Sequence, residues 1–212
     1  MIKSLLVPKE QPMHERPPAT IVDIDDELRS ALEDALRSNG QAVIAAREDE
    51  SSSGEGTSNI RFELPSDLAL LEPVTDYLTK RIEQAWSMPA GRCISLALAL
   101  REALVNAIKH GNHGDPSRLV RITAEVSKHE ARFTVEDEGV GFNVNDIPHP
   151  RDPDNLLKSS GRGVLLIRSV MDETKYNDRG NFLSMIKRRA SLLKEEPNGP
   201  ASASYEIIDH TT

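Results

Sequence analysis

Glu102, Asn106 and His110 recur every fourth residue within LALALREALVNAIKHGN, the stretch from Leu96 to Asn112. At helical pitch that spacing puts all three on one face. A carboxylate and a carboxamide one turn apart can set a proton acceptor beside an oxygen ligand for a hard cation. Further on, Asp137-Glu138-Gly139-Val140-Gly141-Phe142 places an acid at a strand end before two glycines two apart. Glycine lets the backbone turn sharply and approach a ligand closely. Gly161-Arg162-Gly163 then opens another helical stretch, whose N-terminal amides and glycines suit phosphate oxygens, with Arg162 adding charge. Taken alone, the polar line on the Leu96–Asn112 helix also fits an ordinary surface helix; the downstream glycine pairs give it chemical meaning.

These residues need elements to hold them. Leu96, Leu100, Ala103 and Ala107 give the helix an apolar face that can pack into a core. Before it, Ile60 to Leu64 alternates as a strand. Pro65-Ser66-Asp67 then leads into a helix from about Leu68 to Ser87, whose apolar face is Leu70, Leu71, Val74, Leu78 and Ile82. Pro73 can shift its true start, Trp86 reads as a core or edge anchor, and Cys93 as core. Gly111 to Pro116 is a helix stop and turn. Two strands follow, Leu119 to Ser127 and Ala131 to Glu136, and their short connection implies an antiparallel hairpin. Asn143 to Ser160 is polar, carries Pro148, Pro150 and Pro153, and has no period. Such a stretch within a domain is a lid, a binding loop or disorder. Val164 to Met171 is helical, and Thr174 to Asn177 and Asn181 to Lys187 are strands around an Asp178-Arg179-Gly180 turn.

Outside this unit the chain divides by composition. Residues 1–19 are proline-rich and read as a flexible arm. Residues 20–47 read as a small βαβ-like extension: a strand at Thr20–Ile24, a helix opened by Asp25, Asp26 and Glu27, and a strand at Ala42–Ala45. This fragment resembles the opening of a response-regulator receiver domain. That family next needs a third strand with a phosphoacceptor Asp, and the sequence changes character at Glu48 instead. A plain accessory strand–helix–strand is the alternative. Residues 48–58, EDESSSGEGTS, read as a linker, 59–189 as the main domain, and 190–212 as a disordered tail.

Bulk properties narrow the function. The chain has 212 residues, 38% of them hydrophobic, and a net charge of −8. Its mean hydropathy is −0.45, which suits a soluble chain. The acidic balance argues against non-specific nucleic-acid binding and against an anionic membrane surface. A nucleotide ligand needs only a few local donors and stays open. The single cysteine excludes an internal disulfide and a Cys-rich metal site, and fits a reducing cytosol. No apolar run is long enough to span a bilayer. The expected location is cytoplasmic, with no membrane and no direct nucleic-acid partner.

Glu102 to His110, Asp137 to Phe142 and Gly161 to Asp172 match, in order, the N box and the two glycine boxes of the GHKL ATPase superfamily. The resemblance spans roughly residues 58–189, and within that superfamily the chain looks most like stand-alone anti-sigma-factor serine/threonine kinases. It implies an α/β (α+β) two-layer sandwich of the histidine-kinase-like ATPase type, with a mixed, mainly antiparallel sheet and helices on one face. It implies ATP and Mg²⁺ as cofactors, with Asn106 on the metal through its side-chain oxygen. Asp137 takes the place of the adenine-reading Asp, Gly139 and Gly141 let the backbone pass under the base, and Phe142 completes that box. Gly161 and Gly163 let the lid close on the phosphates, for which Lys158 and Arg162 are the nearest basic candidates. His110 is a helix-end residue or a phosphate contact.

Glu102 is the general base in the kinases resembled, while in ATPases of the superfamily a Glu here activates water, so this residue does not separate the two. The implied substrate is an anti-sigma-antagonist protein; a sigma factor and a homodimer follow from the resemblance, not from any residue. The alternative is a catalytically silent module that binds ATP. Asn181 departs from the pattern, because many relatives have Thr after the hairpin glycine.

Overall fold

The computed structural model describes residues 26–37, 45–50, 57–142 and 162–194. Six strands form one sheet: β1 (Ala45–Glu50), β2 (Ser58–Pro65), β3 (Leu119–Val126), β4 (Glu130–Asp137), β5 (Glu173–Tyr176) and β6 (Phe182–Arg188). Their order across the sheet is β1-β2-β3-β4-β6-β5. Every described pair is antiparallel, so the expectation of a mainly antiparallel sheet is met, and the parallel pairing implied by a mixed sheet does not occur among the described strands. Alternate residues of each central strand face inward: Ile60, Phe62 and Leu64, then Val120, Ile122 and Ala124, then Ala131, Phe133 and Val135, then Leu183 and Met185. One apolar face of this kind needs a second layer. That layer comes from α2 (Leu71–Ala85), α3 (Ile94–Val105) and α4 (Arg162–Val170), with α1 (Asp26–Arg37) packed against α2.

Local chemistry explains the element ends. Asp67 accepts from the Ala69 amide at 2.9 Å and caps a 3₁₀ turn, Leu68–Leu70, that leads into α2. Pro73 then falls in the first turn of α2, where its missing N–H costs no helical bond. At the other end Trp86 is fully buried, and its indole N–H donates to the Ser127 carbonyl at 2.8 Å, tying α2 to the β3–β4 turn. Cys93 is buried, as expected.

The structure alters three boundaries. The Leu96–Asn112 helix is not uniform: α3 begins at Ile94 and gives way after Val105 to a π-helical turn, Asn106–Gly111. There the Asn112 amide reaches back five residues, to the Ala107 carbonyl at 2.8 Å. Residues 48–50, read as linker, belong to β1, whose Glu48, Asp49 and Glu50 pair with Ile60, Asn59 and Ser58. Backbone pairing at a sheet edge does not need an apolar side-chain pattern, and charges suit an edge. The tail read from residue 190 starts later, because Arg189–Lys194 is a short helix, α5. Leu192 is fully buried there, and its carbonyl accepts from Arg92 Nη2 at 2.7 Å.

The expected helix of the extension, after the strand at 20–24, is present as α1, with Leu28 and Leu32 buried. The 1–19 arm, the strand at 20–24, the 143–160 stretch and residues 195–212 lie outside the described residues.

Candidate functional site

The three polar positions on the helix open onto one cavity of about 610 Å³, a size that suits a small organic ligand. Glu102, Asn106 and His110 line it from α3 and the π turn, Gly163 and Val164 from α4, Asp137 from the end of β4, and Gly141 and Phe142 from the loop beyond. Most of the lining on the sheet side is apolar, with Val135 and Leu183 beneath and Tyr176 at the side. Phe142 and Tyr176 meet edge to face, with ring centroids 5.2 Å apart.

At one end sit Glu102, Asn106 and Gly163. A Cβ on Gly163 would come within 2.6 Å of Glu102 Oε2 and 3.6 Å of both polar atoms of the Asn106 amide. A side chain there would push the Glu102 carboxylate aside, and the α4 N-terminus stands beside the polar line. Asn106 Nδ2 is buried and has no hydrogen-bond partner among the described residues. A buried, unsatisfied amide in a cavity wall is costly unless a ligand completes it. No group of three or more His, Cys, Asp or Glu able to hold a metal occurs among the described residues. The unpaired Nδ2 is a donor that a phosphate oxygen would satisfy, and the Oδ1 of the same carboxamide is the hard oxygen that would suit a cation such as Mg²⁺, which takes most of its other ligands from phosphate and water.

At the other end Asp137 is 8% exposed. Its Oδ1 accepts from the Gly139 amide at 2.9 Å. Burial pushes its pKa above the ordinary value, and the Gly139 N–H and the Arg179 guanidinium only partly offset this. The fit around it is close. A Cβ on Gly111 would collide with the carboxylate carbon and lie 2.5 Å from each oxygen, and a Cβ on Gly139 would strike the Gly111 carbonyl. Gly141 has φ +77° and lies against the Arg179 carbonyl, which accepts from the Phe142 amide at 3.1 Å. Arg179 Nη2 in turn donates to the Gly139 carbonyl at 3.0 Å. The β5–β6 hairpin thus clasps the glycine loop.

Asn181, the departure from the expected Thr, is 8% exposed and lines the cavity. Its Nδ2 donates to the Asp137 carbonyl at 2.9 Å, and its Oδ1 accepts from Asn177 at 3.0 Å.

Of the residues singled out from sequence, Glu102, Asn106, His110, Asp137, Gly141, Phe142 and Gly163 come together around the cavity. Gly139 lies beside it, under Asp137. Arg162 opens α4; Lys158 and Gly161 fall outside the described residues. Tyr176, Gly111 and Asn112 were not singled out for the site. The sequence marks Gly111 and Asn112 only as a helix stop, and nothing local to those residues announces a contact with Asp137 or with its neighbour Glu138.

A two-layer α+β sandwich whose cavity lies between one helical layer and an antiparallel sheet, walled by two glycine segments, defines a nucleotide-binding class of ATPase domain. The histidine kinase-like ATPase domain family matches residues 64–187, and the chain belongs to that family. Among similar proteins is the anti-sigma F factor of Geobacillus kaustophilus, 31% identical over 150 residues that cover 69% of this chain and 91% of that one. The anti-sigma F factor of Geobacillus stearothermophilus is 32% identical over 127 residues, 58% of this chain and 75% of its own. The serine-protein kinase RsbW of Oceanobacillus iheyensis is 26% identical over 99 residues, 44% of this chain and 63% of its own. No described helix is long and apolar enough to cross a membrane.

Proposed function

We propose that the protein is an ATP-dependent serine/threonine protein kinase that acts as an anti-sigma regulatory factor and phosphorylates an anti-sigma-antagonist protein. The observation that carries this reading is the contact of Glu102, Asn106 and Gly163 at one end of the cavity, with Asp137 buried at the other. The arrangement supports a base end at Asp137 and a phosphate end under the α4 N-terminus, where amides and helix dipole favour anions. The Asp137 carboxylate accepts the exocyclic amine of adenine, a donor that guanine lacks at that position. Val135, Leu183 and the Phe142–Tyr176 pair shed water from the base. Asn106 holds Mg²⁺ through its side-chain oxygen, and the ion neutralises charge on the phosphates when bound.

Glu102 faces the acceptor hydroxyl. That oxygen attacks the γ-phosphorus, its proton passes to the Glu102 carboxylate, and the bond from the γ-phosphorus to the bridging oxygen breaks to release ADP. Phosphoryl transfer depends chiefly on alignment, and the closely spaced α3–α4 contact supplies it. His110, in the cavity lining, is a polar group available to the phosphates, and the sequence offers Lys158 and Arg162 as cationic candidates. The names of the similar anti-sigma factors and kinase support the partner assignment: a small antagonist protein as substrate and a sigma factor as the bound target, in a cytoplasmic setting. The unit from 59 to 189 carries the ATP site, and the homodimer belongs to the same proposal.

The test is purified full-length protein with ATP labelled in the γ-phosphate, incubated with the antagonist encoded nearest to it. Transfer of label to serine or threonine of that partner supports the reading. ATP binding with no transfer in the partner's presence selects a silent ATP-binding module instead.

A further inference from the structure

Asn112 is fully buried and sits immediately after the π turn. Its side chain spends every hydrogen-bonding group on a different segment. Oδ1 accepts from the Glu138 amide at 2.8 Å. Nδ2 donates to Ser66 Oγ at 2.8 Å and to the Leu119 carbonyl at 2.9 Å. The end of the α3 helix, the exit of β2, the start of β3 and the exit of β4 therefore meet on one carboxamide. Ser66 extends the network, since its hydroxyl donates to the Arg118 carbonyl at 2.9 Å.

Glu138 lies between Asp137 and Gly139, and it is held twice. Asn112 takes its amide, and its carboxylate accepts from the Leu119 amide at 3.0 Å and from Arg121 at 2.8 Å. Gly111, the residue before Asn112, forms the surface on which the Asp137 carboxylate and the Gly139 backbone rest. Whatever fixes Asn112 thus fixes both the floor under the carboxylate and the direction of the chain that carries it.

We infer that Asn112 is the positioning residue that aims Asp137 at the nucleotide base, and so sets the preference for adenine over guanine. The inference rests on the base-end reading of Asp137 given above. A buried carboxamide suits this role because it offers one acceptor and two donors at once. An apolar residue of the same shape would leave the Glu138 amide and the Leu119 carbonyl unpaired.

The experiment is isothermal titration of the full chain with ATP and with GTP, each with Mg²⁺, alongside thermal melting. Wild type is expected to favour ATP. Asn112→Ala is expected to weaken ATP at least tenfold with little change for GTP, collapsing the ratio. Ser66→Ala removes a neighbour in the same network but leaves the Asn112–Glu138 bond, so it is expected to lower the melting temperature and keep the ratio. An unchanged ratio in folded Asn112→Ala overturns the inference. If that variant does not fold, Asn112→Gln decides, because it keeps the carboxamide but shifts its acceptor by one methylene away from the Glu138 amide. A fallen ratio supports the inference, and an unchanged ratio overturns it. Wild type showing no ATP preference would instead overturn the base-end reading itself, so the two failures are distinguishable.

Discussion

The Asp137 carboxylate rests on the Gly111 backbone, largely out of solvent, and accepts from the Gly139 amide. Burial raises its pKa in the folded protein. A carboxyl of this kind contributes stability that is full below its unfolded pKa and is lost as pH rises through the higher folded value. At neutral pH the apo protein therefore carries an ionised group that works against the fold, and in the proposed binding mode an adenine amine would offset that with a hydrogen bond. Asp137→Asn is expected to melt roughly 2–4 °C higher than wild type without nucleotide at pH 7, while binding ATP more weakly. In wild type, ATP affinity should fall on the acid side with an inflection raised above the ordinary aspartate value, and the variant should lack that inflection in a titration series.

Gly163 makes the complementary case at the phosphate end. Gly163→Ala gains helix propensity of about 1 kcal/mol, yet its Cβ would press on Glu102 Oε2 at 2.6 Å. The expected outcome is equal or greater stability with phosphotransfer lowered about tenfold or more, since small misplacements are costly in this chemistry. Unchanged transfer by this variant would remove Glu102 from the reacting geometry.

The elements owe their placement to a few long-range polar contacts as much as to apolar packing. The Trp86 indole joins the end of α2 to the β3–β4 turn, 41 residues away in sequence. Trp86→Phe keeps most of the buried volume and leaves the Ser127 carbonyl without that donor. It should lower stability by about 1–3 kcal/mol in urea denaturation and leave ATP affinity unchanged, because the contact is remote from the cavity lining. The π turn works at the same scale. It carries Asn106, His110 and Gly111 on one wide turn, and π-helical segments are frequent at functional sites. Here the widened turn brings Gly111 against the Asp137 carboxylate.

Across the whole molecule, α1 and β1 lie outside the region matched by the family, 64–187, yet they are built into the same unit. β1 extends the sheet beyond β2, and α1 seals one side of α2 with Leu28 and Leu32. Leu32→Ala is expected to cost about 2–5 kcal/mol in the same denaturation assay while the ATP site stays intact; a stability unchanged within error would make α1 an appendage.

How far the sequence carried this architecture depends on where the information sits. The polar line of Glu102 and Asn106 and the glycine pairs are local patterns of spacing, and they could be read directly. The inward alternation of β2, β3 and β4 was equally plain. The strand expected at Ala42–Ala45 meets β1 only at Ala45, and the rest of β1 is not legible because Glu48-Asp49-Glu50 pairs by backbone and carries no apolar pattern. The role of Asn112 could not be read either, since its partners Ser66, Leu119 and Glu138 come together only in the fold. Asn181 stood out as a departure, and only the structure reveals that it supports the Asp137 carbonyl.

The central claim is that one cavity separates holding ATP from using it, with Asp137 on the base and Glu102 on the acceptor. The most direct measurement pairs ATP affinity with phosphotransfer to the antagonist in Glu102→Gln, which keeps the side-chain shape and removes the proton acceptor. The expected result is an ATP dissociation constant within about twofold of wild type and transfer reduced about a hundredfold or more. Transfer at the wild-type rate, or an affinity that falls as steeply as the transfer, would contradict the account.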